Sequence, residues 1–218
     1  MNIAPDEKIQ IARFLNFLLS GEKTAHRCAK KQARLCADTQ LQHFLKNQAR
    51  QERFHALTFQ SAVLWLAPKG VSCPASGHML QYESLLSDAI ENHDLPASIF
   101  GLQVILEGMG DIILERLNHG INQRGIGYQK IRKAIIAQED THHKTGLSYL
   151  ENNFEDTTMS LQYRHLINDY LFLIDEIFFS LRGLLDYFES DISEYINSFN
   201  QNIPYWVHLD ALDHHTHA

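Results

Sequence analysis

Apolar side chains recur at three- and four-residue spacing along almost the whole chain, and no run alternates cleanly as a strand would. The pattern predicts a first helix over about 6–36, with the stripe Ile11, Leu15, Leu18, Glu22, Ala25, Ala29 and Cys36. A second helix runs to about Ala67. It is capped by Asp38, or by Thr39 with Gln42 completing a capping box. Its stripe is Leu41, Leu45, Gln48, Glu52, His55, Phe59, Ala62 and Leu66, and Pro68-Lys69-Gly70 stops it.

A long connection over 68–95 holds one short helix near 79–91. A third helix opens at Pro96, a favoured first-turn position, and Asn118-His119-Gly120 reads as a glycine stop. Its stripe includes Ile99, Gln103, Leu106, Glu107, Gly110, Leu114 and Leu117. After the short loop "INQRGIG", a fourth helix over about 128–151 carries Tyr128, Ile131, Ile135, Glu139, His142, Gly146 and Leu150. An aromatic-rich fifth helix follows over about 157–189, then a sixth over about 191–200 capped by Asp191. The fold class is therefore all-α, and the halves 5–67 and 96–151 are alike, each a helix pair with a short turn.

Composition narrows the function. The 218 residues are 44% hydrophobic and 21% charged, an ordinary globular mix. The net charge of −7 argues against a nucleic-acid partner. Cys28, Cys36 and Cys73 form no CxxC, so neither a disulfide framework nor a zinc ribbon is expected. The N-terminus lacks a signal-peptide pattern, and the apolar segment 166–188 is broken by five charged residues. These features lead to the expectation of a cytoplasmic protein with no membrane span.

The chemistry lies in four stripes that should face a core. Each carries a glutamate: Glu22, Glu52, Glu107 and Glu139. Two also carry a histidine three residues on, His55 and His142. A buried carboxylate is costly unless paired, hydrogen-bonded or metal-bound. Four together would repel strongly, and two divalent cations would neutralise them. Residues at i and i+3 share a helix face, so each Glu-x-x-His pair can reach one metal. With 13 Glu and 13 His in the chain, about one such pair is expected by chance, so the registers carry the argument. Glu22 precedes Glu52 by 30 residues and Glu107 precedes Glu139 by 32. The competing reading is a metal-free bundle with buried Glu–His pairs, which leaves Glu22 and Glu107 without counter-charges.

This order of ligand types resembles the ferritin-like di-iron superfamily, which includes bacterioferritins, rubrerythrins and soluble di-iron oxygenases. The resemblance covers about residues 5–151. It implies a four-helix bundle with one long crossover between helices two and three, spanning 1–152, and a C-terminal helical extension over 153–218 packed on it as one structural domain. It implies six ligands, Glu22, Glu52, His55, Glu107, Glu139 and His142, with Glu52 and Glu139 bridging. Two iron ions are the implied cofactors. The ligand chemistry also admits manganese or zinc, and a mixed Mn/Fe pair is a further alternative.

Departures from the family narrow its function. The chain lacks the rubredoxin cysteines of rubrerythrins, and Arg53 stands where bacterioferritins place a haem-ligating methionine, so no haem is expected. Some 60 residues follow helix four. An oxidase or oxygenase acting on a small apolar organic molecule is the leading expectation, using dioxygen and an external electron donor. An iron-handling or peroxide-reducing protein and a helical scaffold with a structural or vestigial metal are the alternatives. Gly108 and Gly110 in "LEGMGD" either leave room for oxygen or substrate or serve close helix packing. Asp111 and His26, each one turn beyond a ligand, are candidates for orienting the site. Phe172 and Phe179 suggest a homodimer through helix five. His214, His215 and His217 are read as part of a frayed tail.

Overall fold

A computed structural model describes residues 4–123, 129–154, 156–188 and 191–208. Tyr128, the loop 124–128, His214, His215 and His217 lie outside the described residues. The described residues are all-helical, with no strand among them. The elements are α1 Pro5–Leu35, α2 Thr39–Leu66, α3 Ser76–Glu91, α4 Leu95–Ile99, a π-helical segment Phe100–Leu106, α5 Glu107–Gln123, α6 Gln129–Asn153, α7 Asp156–Tyr187, α8 Ile192–Asn202 and a 3-10 turn Tyr205–His208.

Helix ends follow local chemistry. Asp38 caps α2 by accepting a hydrogen bond from Leu41 N at 2.7 Å. The Gln42 side chain donates instead to Cys36 O, so Asp38, not a Thr39–Gln42 box, sets this start. Gly70 closes the turn after α2 at φ 83°, a left-handed conformation that glycine adopts without a Cβ clash. Asp94 caps α4 through Ala97 N, and Asp191 caps α8 through Ser193 N.

Two details depart from the sequence expectation. Asn118-His119-Gly120 does not stop the helix, and α5 continues to Gln123. A single helical glycine costs only about 1 kcal/mol against alanine, which the packed turns before it offset. The predicted third helix is also not uniform. It is α4, then seven residues of π-helix, then α5, and the Glu107 N–H closes the last wide turn on Leu102 O.

α1 and α2 pack along each other as a pair across a three-residue turn, and α6 packs on α5 and the π-helical segment. α3 bridges α1 and α7, while α8 packs on α5 and α7. One hydrophobic cluster runs through all of them, from Phe14 to Val207. Trp206 reaches Phe100 with ring centroids 5.4 Å apart, so the C-terminal turn covers the π-helical segment. Tyr82 and His143 also hold this segment, donating hydrogen bonds to Gly101 O at 2.6 Å and Gln103 O at 3.2 Å. Among the described residues, Leu95–Glu115 alone is long and apolar enough to cross a membrane, and 94% of its 18-residue apolar window is buried. Phe172 and Phe179 on α7 are both exposed.

Candidate metal centre

The core stripes carry their polar residues to one place. α1 supplies Glu22, α2 supplies Glu52 and His55, α5 supplies Glu107 and α6 supplies Glu139 and His142, all buried. Glu52 and His55 lie one helical turn apart, as do Glu139 and His142, so each pair reaches inward from one helix. The six fall into two overlapping sets that could each hold a metal ion. Glu22, Glu52, His55 and Glu139 offer ligand atoms within 4.8 Å of one another, and so do Glu52, Glu107, Glu139 and His142. Glu52 and Glu139 belong to both sets, the arrangement expected of bridging carboxylates.

The histidines aim the same way. His55 Nδ1 stands 2.9 Å from Glu139 and 3.2 Å from both Glu22 and Glu52. His142 Nδ1 stands 2.9 Å from Glu52, 3.8 Å from Glu139 and 4.0 Å from Glu107. The outer nitrogens are engaged elsewhere. His55 Nε2 donates to Gln138 Oε1 at 2.7 Å, and His142 Nε2 donates to Gln51 Oε1 at 2.9 Å. Each glutamine precedes a ligand glutamate on one helix and serves the histidine of the other. When a metal binds, a proton kept at Nε2 would leave the Nδ1 lone pair for it, the form a metal requires.

Glu52 Oε1, Glu139 Oε1 and His142 Nδ1 are buried, and their close contacts are the 2.9 Å ion pairs Glu52–His142 and Glu139–His55, with no aligned hydrogen bond. Buried polar atoms rarely lack aligned partners, and three so close together fit a cation between them. The residues therefore fit a pair of divalent metals by donor type, number and direction. A mixed oxygen and nitrogen donor set of this kind suits iron, manganese or zinc.

Without a cation the cluster balances its charge with protons. Burial, then the charges of Glu139 and Glu52, push the Glu22 carboxyl well above its ordinary range. Burial and the carboxylates of Glu52 and Glu139 do the same to Glu107. Burial opposes ionisation of Glu52 and Glu139 too. There, the close polar contacts win: His142 and His55 hold Glu52 down, and Glu107, His142 and His55 hold Glu139 down. Burial disfavours the charged form of both histidines. The carboxylates around them more than reverse it, raising His55 strongly and His142 to about 9. The shifts thus favour imidazolium at His55 and His142, carboxylate at Glu52 and Glu139, and the protonated form at Glu22 and Glu107. This is how the metal-free core avoids the repulsion that four charged glutamates would bring.

Neither residue expected to orient the site is a hydrogen-bond partner of His55 or His142 among the described residues. His26 makes a 2.6 Å hydrogen bond with Ala49 O, which ties α1 to α2. Asp111 is buried, and burial followed by Glu115, Asp140 and Glu139 raises it to about 7. No hydrogen bond joins it to either histidine among the described residues. The orienting role falls to Gln51 and Gln138, which the sequence signals only by a repeated Gln before each Glu-x-x-His, in "QERFH" and "QEDTH".

Two glycines of "LEGMGD" separate in role. A Cβ on Gly108 would meet the His143 ring at 2.9 Å, so Gly108 serves close packing. A Cβ on Gly110 would meet nothing within 4 Å, because Gly110 lines a cavity. That cavity has a volume of about 40 Å³ and lies between α1 and α5. Its walls are mostly apolar, among them Phe17, Leu18, Met79, Met109 and Ile113, and it ends on Glu22, Glu107 and Glu139. At about 10–15 Å³ per water, it has room for about three water-sized molecules. Neither a protein-family model nor a curated protein matches the chain.

Proposed function

We propose that this chain is a ferritin-like di-iron protein that activates dioxygen and oxidises a small apolar organic molecule. In this reading α1, α2, α4–α5 and α6 form the four-helix bundle, and α3 lies in the crossover. Glu22, Glu52 and His55 hold one iron with Glu139, and Glu107, Glu139 and His142 hold the other with Glu52. Iron, when bound, supplies the redox chemistry with dioxygen.

The observation that carries the reading is the apolar cavity ending on the carboxylates of the cluster. The side bearing Gln51 and Gln138 is occupied by hydrogen bonds to the histidines. The opposite side, between α1 and α5, is where a small apolar molecule can approach. The chain's part is to hold the six ligands, to keep water low around them and to give the substrate an apolar seat. Electrons come from an external donor.

Anaerobic loading of metal-free protein with Fe(II) tests the reading. Two irons per chain are expected, and the optical spectrum should change on adding dioxygen. A faster change with dioxygen than with peroxide supports the oxygenase reading, while the reverse order moves it to peroxide reduction. Fewer than two irons per chain, unaffected by Glu52→Ala, would remove the di-iron reading.

A further inference from the structure

Three glutamines are buried beside the cluster, and the ligand set does not account for them. Gln32, Gln48 and Gln103 are each at most 1% exposed and come from α1, α2 and the π-helical segment. A buried primary amide is costly unless its groups are bonded, and here they bond one another. Gln103 Nε2 donates to Gln32 Oε1 at 2.8 Å and to Gln48 Oε1 at 2.9 Å. Gln32 Nε2 donates back to Gln103 Oε1 at 3.2 Å and reaches Ser98 Oγ at 3.3 Å. The chain ends where Gln48 Nε2 donates to Glu107 Oε1 at 2.8 Å.

The direction of this last bond has a chemical consequence. With its Oε1 atom occupied by an amide N–H, Glu107 faces His142 with Oε2, 4.0 Å from Nδ1. The amide cannot flip without losing partners, because Gln103 donates to its oxygen. Glu22 has no such restraint among the described residues. Its recorded partner is His55, and Gly21 beside it has open space where a Cβ would stand.

We propose that Gln48 is a positioning residue that restricts Glu107 to one oxygen toward a metal, with Gln103 and Gln32 fixing the amide from the π-helical segment. The two metal positions are then inequivalent: Glu107 is held in one binding mode, and Glu22 is free to change. This rests on the two-metal reading above.

Anaerobic cobalt(II) titration of the full chain tests it, with calorimetry for affinity and the visible spectrum for coordination number. The wild-type chain is expected to bind two equivalents. Gln48→Met keeps an unbranched side chain and leaves Gln103 still bonded to Gln32, so the fold has little to lose. It should weaken one equivalent about 10–100-fold and leave the other unchanged. It should also lower the intensity of the visible bands, as Glu107 becomes bidentate and one cobalt gains a ligand. A merely structural role would not move that intensity. Gln103→Met, which unties the amide without touching Glu107, should shift the same equivalent in the same direction by less, and it carries the test if Gln48→Met does not fold. Unchanged affinities and spectrum in the variants, with two equivalents in the wild type, overturn this proposal alone. A wild-type chain that takes up no cobalt overturns the metal reading and this proposal with it.

Discussion

His142 Nδ1 stands 2.9 Å from Glu52 Oε1, an ion pair between two fully buried side chains. Glu52 sits on α2 and His142 on α6, so the proximity links the two halves of the cluster. Glu52 and Glu139 each belong to both four-residue sets, while Glu22 and Glu107 each belong to one. Removing a shared carboxylate should therefore cost more metal than removing an unshared one. Glu52→Gln and Glu139→Gln are expected to lose both ions, and Glu22→Gln and Glu107→Gln to keep one. Elemental analysis after dialysis reads the stoichiometry, and equal loss in all four variants would contradict the shared role.

Metal uptake should release protons. Four of the six side chains are shifted toward their protonated forms in the metal-free cluster, namely His55, His142, Glu22 and Glu107. Two divalent cations replace the protons, so affinity should rise with pH. The His142 imidazole, raised from 6.5 to about 9, sets the upper part of this window. Its folded value lies above its unfolded value. The stability it gives the metal-free protein is thus fully present below about pH 6.5 and is lost as pH rises through about 9. Chelator-treated protein should melt progressively lower across that range, while metal-loaded protein holds its melting temperature. A metal-free melting temperature that rises from pH 6.5 to 9 would count against the protonation pattern.

Gln51→Leu and Gln138→Leu should each weaken metal binding about 10–100-fold, because each removes the acceptor that fixes a histidine tautomer. The effects should cross over between helices. Gln51→Leu perturbs the position served by His142, and Gln138→Leu the one served by His55. Histidine ring nitrogen NMR shifts in the metal-free protein give a direct reading, since only the histidine on the opposite helix should move.

Three glycine substitutions should separate packing from open space. A Cβ on Gly101 would lie 2.4 Å from the Tyr170 ring, and one on Gly146 would lie 2.4 Å from Gln103 Cβ. Gly101→Ala and Gly146→Ala are expected to destabilise by about 1–3 kcal/mol through overpacking. Gly110→Ala meets nothing and should stabilise by up to about 1 kcal/mol through helix propensity. The same methyl narrows the cavity, so this variant should bind metal normally and accept small apolar molecules less well. Denaturant unfolding and calorimetry measure both arms.

The cluster was legible because a glutamate on an apolar stripe is anomalous. Glu22, Glu52, Glu107 and Glu139 stand where burial would be expensive, and the histidine spacing follows helical geometry. The caps at Asp38 and Asp191 were legible for a similar local reason. The π-helical segment was not, since seven residues with the composition of an ordinary helix carry no periodic mark of a wider turn. Nor were the partners of the histidines. Asp111 and His26 were chosen by closeness along their own helices, whereas Gln51 and Gln138 act across to the opposite one. Only the repeated glutamine before each Glu-x-x-His marked them. The amide chain from Gln32 to Glu107 likewise joins residues 55 to 71 apart in sequence, which no local pattern reports.

The exchanged hydrogen bonds of Gln51 with His142 and Gln138 with His55 also act mechanically. Their donors lie on opposite helices, α2 for one and α6 for the other, so they act as two rungs one helical turn apart. Sliding one helix by a single residue, about 1.5 Å along its axis, would break both. The centre therefore has a fixed helix register before any ion arrives, and an ion would meet a frame already set to its dimensions.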